Sequence, residues 1–106
     1  MALNPRLTKS DATYVEMEQI VRSEEGRRAA IEAAQKGYPA ICGVDQLLRV
    51  NLGSRYKVID HGTQCAGTLV GELMHELGYR RHPRKPCPPG CLARTGILWV
   101  SPWNSN

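Results

Sequence analysis

Apolar positions along the chain recur at helical spacing in two stretches. From Ser10 to Lys36, and again from Thr63 to Leu77, they return every three or four residues, the spacing of one buried helix face. In the first stretch Tyr14, Met17, Ile20 and Val21 share a side, with Glu16 and Glu18 off it, and Ser10-Asp11 offers an N-cap. Ser23-Glu24-Glu25 caps a second helix over 26–36. Its Ala29, Ala30, Ile31, Ala33 and Ala34 form a narrow face suited to close helix packing, and Gly37 stops it. Tyr38-Pro39-Ala40-Ile41-Cys42 predicts a short extended first strand, because a residue before proline avoids helical backbone. Val44, Leu47 and Leu48, with Val50 and Leu52, mark a short helix ended by Gly53, and 55–59 alternates weakly as loop with some strand character. Thr63 caps the best helix, 63–77, in which Ala66, Leu69, Val70, Leu73 and Leu77 make one stripe. Beyond Gly78 come a basic strand, a turn rich in Pro, Cys and Gly, and the strand Ile97-Leu98-Trp99-Val100, so a hairpin should lie beside helix 63–77.

A chain of 106 residues with 42% hydrophobic composition supports one core, and we expect a single α+β domain. Residues 1–9 read as a loose arm, 10–36 as a helical extension and 38–103 as the body. No apolar run is long enough to span a bilayer and no leader pattern opens the chain, so no membrane partner and a cytoplasmic location are expected.

The net charge of +4 is modest, but its placement is not even. All ten acids lie at or before Glu76, whereas Arg80, Arg81, Arg84, Lys85 and Arg94 follow Tyr79 with no acid among them. A one-signed surface of this kind suits an anionic partner, and guanidinium groups on a hairpin suit phosphate in particular. On helix 63–77 the core stripe leaves Gln64, Thr68, Gly71 and His75 outward. Gln64 and Thr68 are the candidates for base edges, although Glu72 and Glu76 flank that face and repel phosphate. Gly67 and Gly71 each cost about 1 kcal/mol inside a helix relative to alanine, which points to a close approach by some neighbour. Trp99 is expected to anchor the core, and Trp103 to stand half exposed as a partner contact.

Cys87-Pro88-Pro89-Gly90-Cys91 forces a tight turn that brings two sulfurs near each other. Zinc held by Cys87, Cys91 and His82, with His75, Cys65 or Cys42 as further ligands, is weighed against a disulfide and against a plain turn with two thiols. The spacing lacks a clean second ligand pair, so no metal and no cofactor are expected. Asp60-His61 near Cys65 suggests a Cys/His nucleophile but offers no third orienting group, and no enzyme is expected. Tyr14, Met17 and Val21 of helix 12–22 would be a homodimer face if left uncovered.

From about Val44 to Val100 the chain resembles the winged-helix domain that ends many phage and plasmid primase-helicase and virulence-associated proteins. The elements that carry the likeness are Val44–Val50, the run 70–79 closing on Leu77-Gly78-Tyr79, Arg80-Arg81, and Ile97-Leu98-Trp99-Val100. The likeness implies a winged helix-turn-helix with a small antiparallel sheet, here with two extra N-terminal helices. Taken with the charge placement and the outward face of helix 63–77, we expect a non-enzymatic phage or mobile-element protein that binds double-stranded DNA through Gln64, Thr68, His75, Arg80, Arg81, Arg84, Lys85 and Arg94. The alternative is a small phage-encoded inhibitor of a host protein complex that handles nucleic acid. The sequence departs from the family in having no helicase or primase domain ahead of this region and in its expanded turn, 87–91.

Overall fold

The computed structural model describes residues 12–57, 62–91 and 94–101. Their order is α1 (Ala12–Arg22), α2 (Glu24–Gln35), α3 (Ala40–Leu52), the single turn α4 (Ser54–Lys57), α5 (Gly62–Glu76), β1 (Arg80–Pro86) and β2 (Thr95–Val100). The fold is α+β, with one two-stranded antiparallel sheet among the described residues.

Local chemistry sets most of the boundaries. Ser23 caps α2, its Oγ accepting the Gly26 N–H at 3.0 Å, while Glu24 and Glu25 place negative charge at the positive end of the helix. Gly37 and Gly78, at φ 82° and 88°, supply the left-handed residue that ends α2 and α5. In each case the next N–H reaches back over the last turn, Tyr38 to Ala33 O and Tyr79 to Met74 O, both at 3.0 Å. The second of these turns converts α5 directly into β1.

Residues 38–42 are not the expected strand. Pro39 stands at the N-cap of α3, which continues through Ile41 and Cys42, and the Cys42 N–H is donated to Pro39 O at 3.0 Å. Proline restricts the residue before it but is well suited to opening a helix, so the extended stretch stops at Tyr38. The third strand of the expected sheet is therefore missing among the described residues, and Arg55-Tyr56 belongs to α4 rather than to a strand-like loop. Residues 1–9, the Ser10-Asp11 cap and 58–61 lie outside the described residues.

Every described element except β1 contributes to one core: Met17 and Val21 from α1, Ala30 from α2, Val44 and Leu48 from α3, Tyr56 from α4, Leu69 and Met74 from α5, and Trp99 from β2. Tyr14, Met17 and Val21 are buried inside the molecule, so they form no dimer face. The small-residue face of α2 does what its composition implies: a Cβ at Gly43 of α3 would collide with the Ala29 carbonyl and sit 3.3 Å from Ala33 Cβ. Gly43→Ala should therefore push α2 and α3 apart and lower stability by about 1–3 kcal/mol, the usual range for overpacking. An unchanged urea midpoint would show that the two backbones have room.

Two bidentate ion pairs tie the surface of α1 to its neighbours. Arg22 donates to both carboxylate oxygens of Glu76 on α5, and Arg55 on α4 does the same to Glu16, every contact at 2.8 Å. The hydrogen bonds from the guanidinium groups hold both carboxyls below the ordinary glutamate value. A folded state with a depressed carboxyl pKa binds fewer protons than the unfolded chain, so this stabilisation is present above about pH 4.5 and is lost as pH falls below it. Both pairs are exposed, which keeps the effect small. Glu76→Gln should flatten the fall in Tm between pH 5 and pH 3, and an acid limb as steep as in the parent protein would contradict this account.

Candidate functional sites on the hairpin

Each residue of β1 is exposed, and β2 carries the buried positions, Gly96 and Trp99. β2 therefore lies against the body and β1 is the outer strand. The register runs from Arg80 opposite Val100 to Pro86 opposite Thr95, interrupted by a bulge between His82 and Arg84, where Pro83 cannot donate to a ladder. Two glycines let the body approach. A Cβ at Gly96 would sit 2.8 Å from Ile41 Cγ2 and 2.9 Å from Pro39 Cβ, and one at Gly71 would be 3.5 Å from Trp99 Cζ2. The neighbour that Gly71 admits is thus the indole of Trp99. Gly67 has no atom within 4 Å of its notional Cβ, so no close approach explains it.

The cations divide along the chain. Arg22, Arg28, Arg49 and Arg55 each pair with a carboxylate. Among the described residues Arg80, Arg81, Arg84, Lys85 and Arg94 make no ion pair, and all five are exposed. Arg84 and Lys85 are nonetheless positioned by the protein's own oxygens: Arg84 Nη2 donates to Thr95 Oγ1 at 3.2 Å and Lys85 Nζ to the Gly37 carbonyl at 2.7 Å. Arg80 and Arg81 have no such tether among the described residues. Arg94 sits in the turn at φ 63°, its carbonyl accepting the Cys87 N–H. The hairpin is accordingly laid along the body and held at its far end, and does not project from it as a free finger.

On α5 Thr68, Glu72 and His75 are exposed, placing a carboxylate between the two expected contact residues. The backbone of Gln64 belongs to α5, but its side chain lies outside the described residues, as does Trp103. Asp60, His61 and the side chain of Cys65 lie outside them too.

The turn 88–91 has the form its residues demand, with Pro89 and Gly90 at its centre, Gly90 at φ 95°, and the Cys91 N–H donated to Pro88 O at 3.4 Å. It delivers Cys87 and Cys91 to Cys42, in the first turn of α3, and the three Sγ atoms lie within 4.8 Å of one another. All three thiols are free and half-buried. Burial, followed by a hydrogen bond to Cys87, pushes the Cys42 thiol far up, and burial raises Cys87 as well. His82, a candidate ligand beside Cys87 and Cys91 by its place in the chain, is instead an exposed β1 residue opposite Leu98 and is not part of the cluster.

Three residues beyond Cys42, α3 also carries a buried polar group that is not among the candidates drawn from the sequence. Asp45 is fully buried on α3. Its Oδ1 accepts the Tyr56 hydroxyl at 2.9 Å, and Arg49 Nε lies 3.1 Å from Oδ2, off the line of a hydrogen bond and so as an ion pair alone. Burial and then the Asp45 charge hold the Tyr56 phenol well above its ordinary value. The signal was legible, since an acid falls within the apolar stripe Ile41, Val44, Leu48, Leu52. Such a residue must find partners inside.

No described helix is long and apolar enough to cross a membrane. No protein-family model matches the chain, and comparison with curated proteins and with solved structures likewise finds no match.

Proposed function

We propose that the protein binds double-stranded DNA as a small non-enzymatic winged-helix-like module, with β1 laid against the phosphate backbone. The observation that carries this reading is the outer strand, where Arg80, Arg81, Arg84 and Lys85 stand exposed in one run with no carboxylate paired to them among the described residues. A row of cations with no carboxylate partner among the described residues is available for counterion release on a polyanion. The succession of α5, a glycine-ended turn and a two-stranded hairpin supports the winged-helix reading, with Thr68 and Gln64 proposed to face bases and His75 and Arg94 to flank the contact. A regulatory or replication-accessory role in a phage or mobile element, inside the cytoplasm, follows from the same reading.

Fluorescence anisotropy with a labelled random duplex across a salt series tests it. Four phosphate contacts give a slope of log K against log salt of about −3 to −4. Absence of duplex binding at ~0.1 M salt would sink the proposal.

One observation favours a second reading, in which the same face binds a host protein complex that handles nucleic acid. Glu72 stands exposed on α5 between Thr68 and His75, a poor neighbour for phosphate. A stoichiometric protein recovered from nuclease-treated lysate by a chain that ignores duplex DNA would favour it.

A further inference from the structure

We propose that Cys42, Cys87 and Cys91 form a binding site for a thiophilic divalent metal ion of the zinc type, joining the tip of the hairpin to the start of α3. Three thiols from two separate parts of the chain converge with their sulfurs within 4.8 Å of one another. Around a tetrahedral zinc, with Zn–S near 2.3 Å, thiolate sulfurs are roughly 3.8 Å apart, so small side-chain adjustments complete the set. The supports are built for convergence. Cys42 is fixed in the first turn of α3 by its N–H to Pro39 O, Cys91 by the Pro89-Gly90 turn, and Cys87 by its N–H to Arg94 O at 2.6 Å. Gly96 against Pro39 and Ile41, and Lys85 on the Gly37 carbonyl, hold the hairpin at this height on α3. A disulfide satisfies only two of three sulfurs, whereas one soft cation engages all three, leaving a fourth position for water or another donor.

The test uses the full chain, reduced and stripped of metal, titrated with Co²⁺ in the absence of oxygen. One equivalent should produce sulfur-to-cobalt charge-transfer absorption together with the visible bands of a tetrahedral site, and one equivalent of Zn²⁺ should bleach both. Cys42→Ser should weaken binding on the order of a hundredfold or more, since removing even an outer-shell partner costs ten- to a hundredfold. Should that variant fail to fold, the wild-type chain still gives an answer: Zn²⁺ should protect three of its four cysteines from a maleimide. No sulfur-to-cobalt band, a band unchanged in Cys42→Ser, or all four cysteines modified as fast with zinc as without it would each overturn the proposal.

Discussion

Replacing Arg80 and Arg81 together with alanine is expected to lower affinity for duplex DNA by roughly sixty-fold at ~0.1 M salt, and to make the salt slope shallower by about 1.8. Both figures follow from two lost phosphate contacts at about 0.9 counterions each. These two residues are the sharper choice within β1 because Arg84 and Lys85 are already engaged, on Thr95 and on the Gly37 carbonyl. The loss should be the same on every duplex sequence, since phosphates carry no sequence information. Both side chains are exposed and unpaired with carboxylates among the described residues, so the variant should unfold at the same urea concentration as the parent. Unchanged anisotropy in the double variant would remove β1 from the interface, whatever else the protein binds.

Trp99→Ala is expected to cost about 3–5 kcal/mol, the range for deleting a buried aromatic side chain. Trp99 is 7% exposed, on the strand of the hairpin that faces the body, and its indole lies over Gly71 of α5. A domain of this size has a total stability of about 5–15 kcal/mol, so much of its margin would go and Tm should fall on the order of 20 °C. Trp99→Phe should recover a substantial part of the loss by refilling some of the volume. A change in urea midpoint equivalent to less than about 1 kcal/mol for the alanine variant would mean that the hairpin is held by its other contacts, at Gly96 and Lys85.

The elements most legible in the sequence were those written locally. Ser23 caps α2, Gly37 and Gly78 end helices with positive φ, and the stripe Ala66, Leu69, Val70 and Leu73 is buried as its spacing requires. The hairpin was readable because Pro-Pro-Gly admits little but a turn. The start of α3 differs from the expected strand because Pro39 can end an extended segment or open a helix, and here it opens one, against which Gly96 of β2 packs. The cysteine cluster was half legible. Cys87 and Cys91 announce themselves by their turn, but Cys42 joins them only once β2 is seated on α3. His82 was drawn into the metal set by proximity in sequence, although its strand carries it along the outer edge.

The outer edge of β1 carries backbone groups of the kind that recruit another extended chain. Pro83 and Pro86 have no N–H to offer, the ladder is broken between His82 and Arg84, and the intervening side chains repel a second copy of themselves. The interruption that spoils the strand's regularity thus also guards against fibrillar stacking, leaving a small sheet that presents its charges outward without growing by addition of further strands.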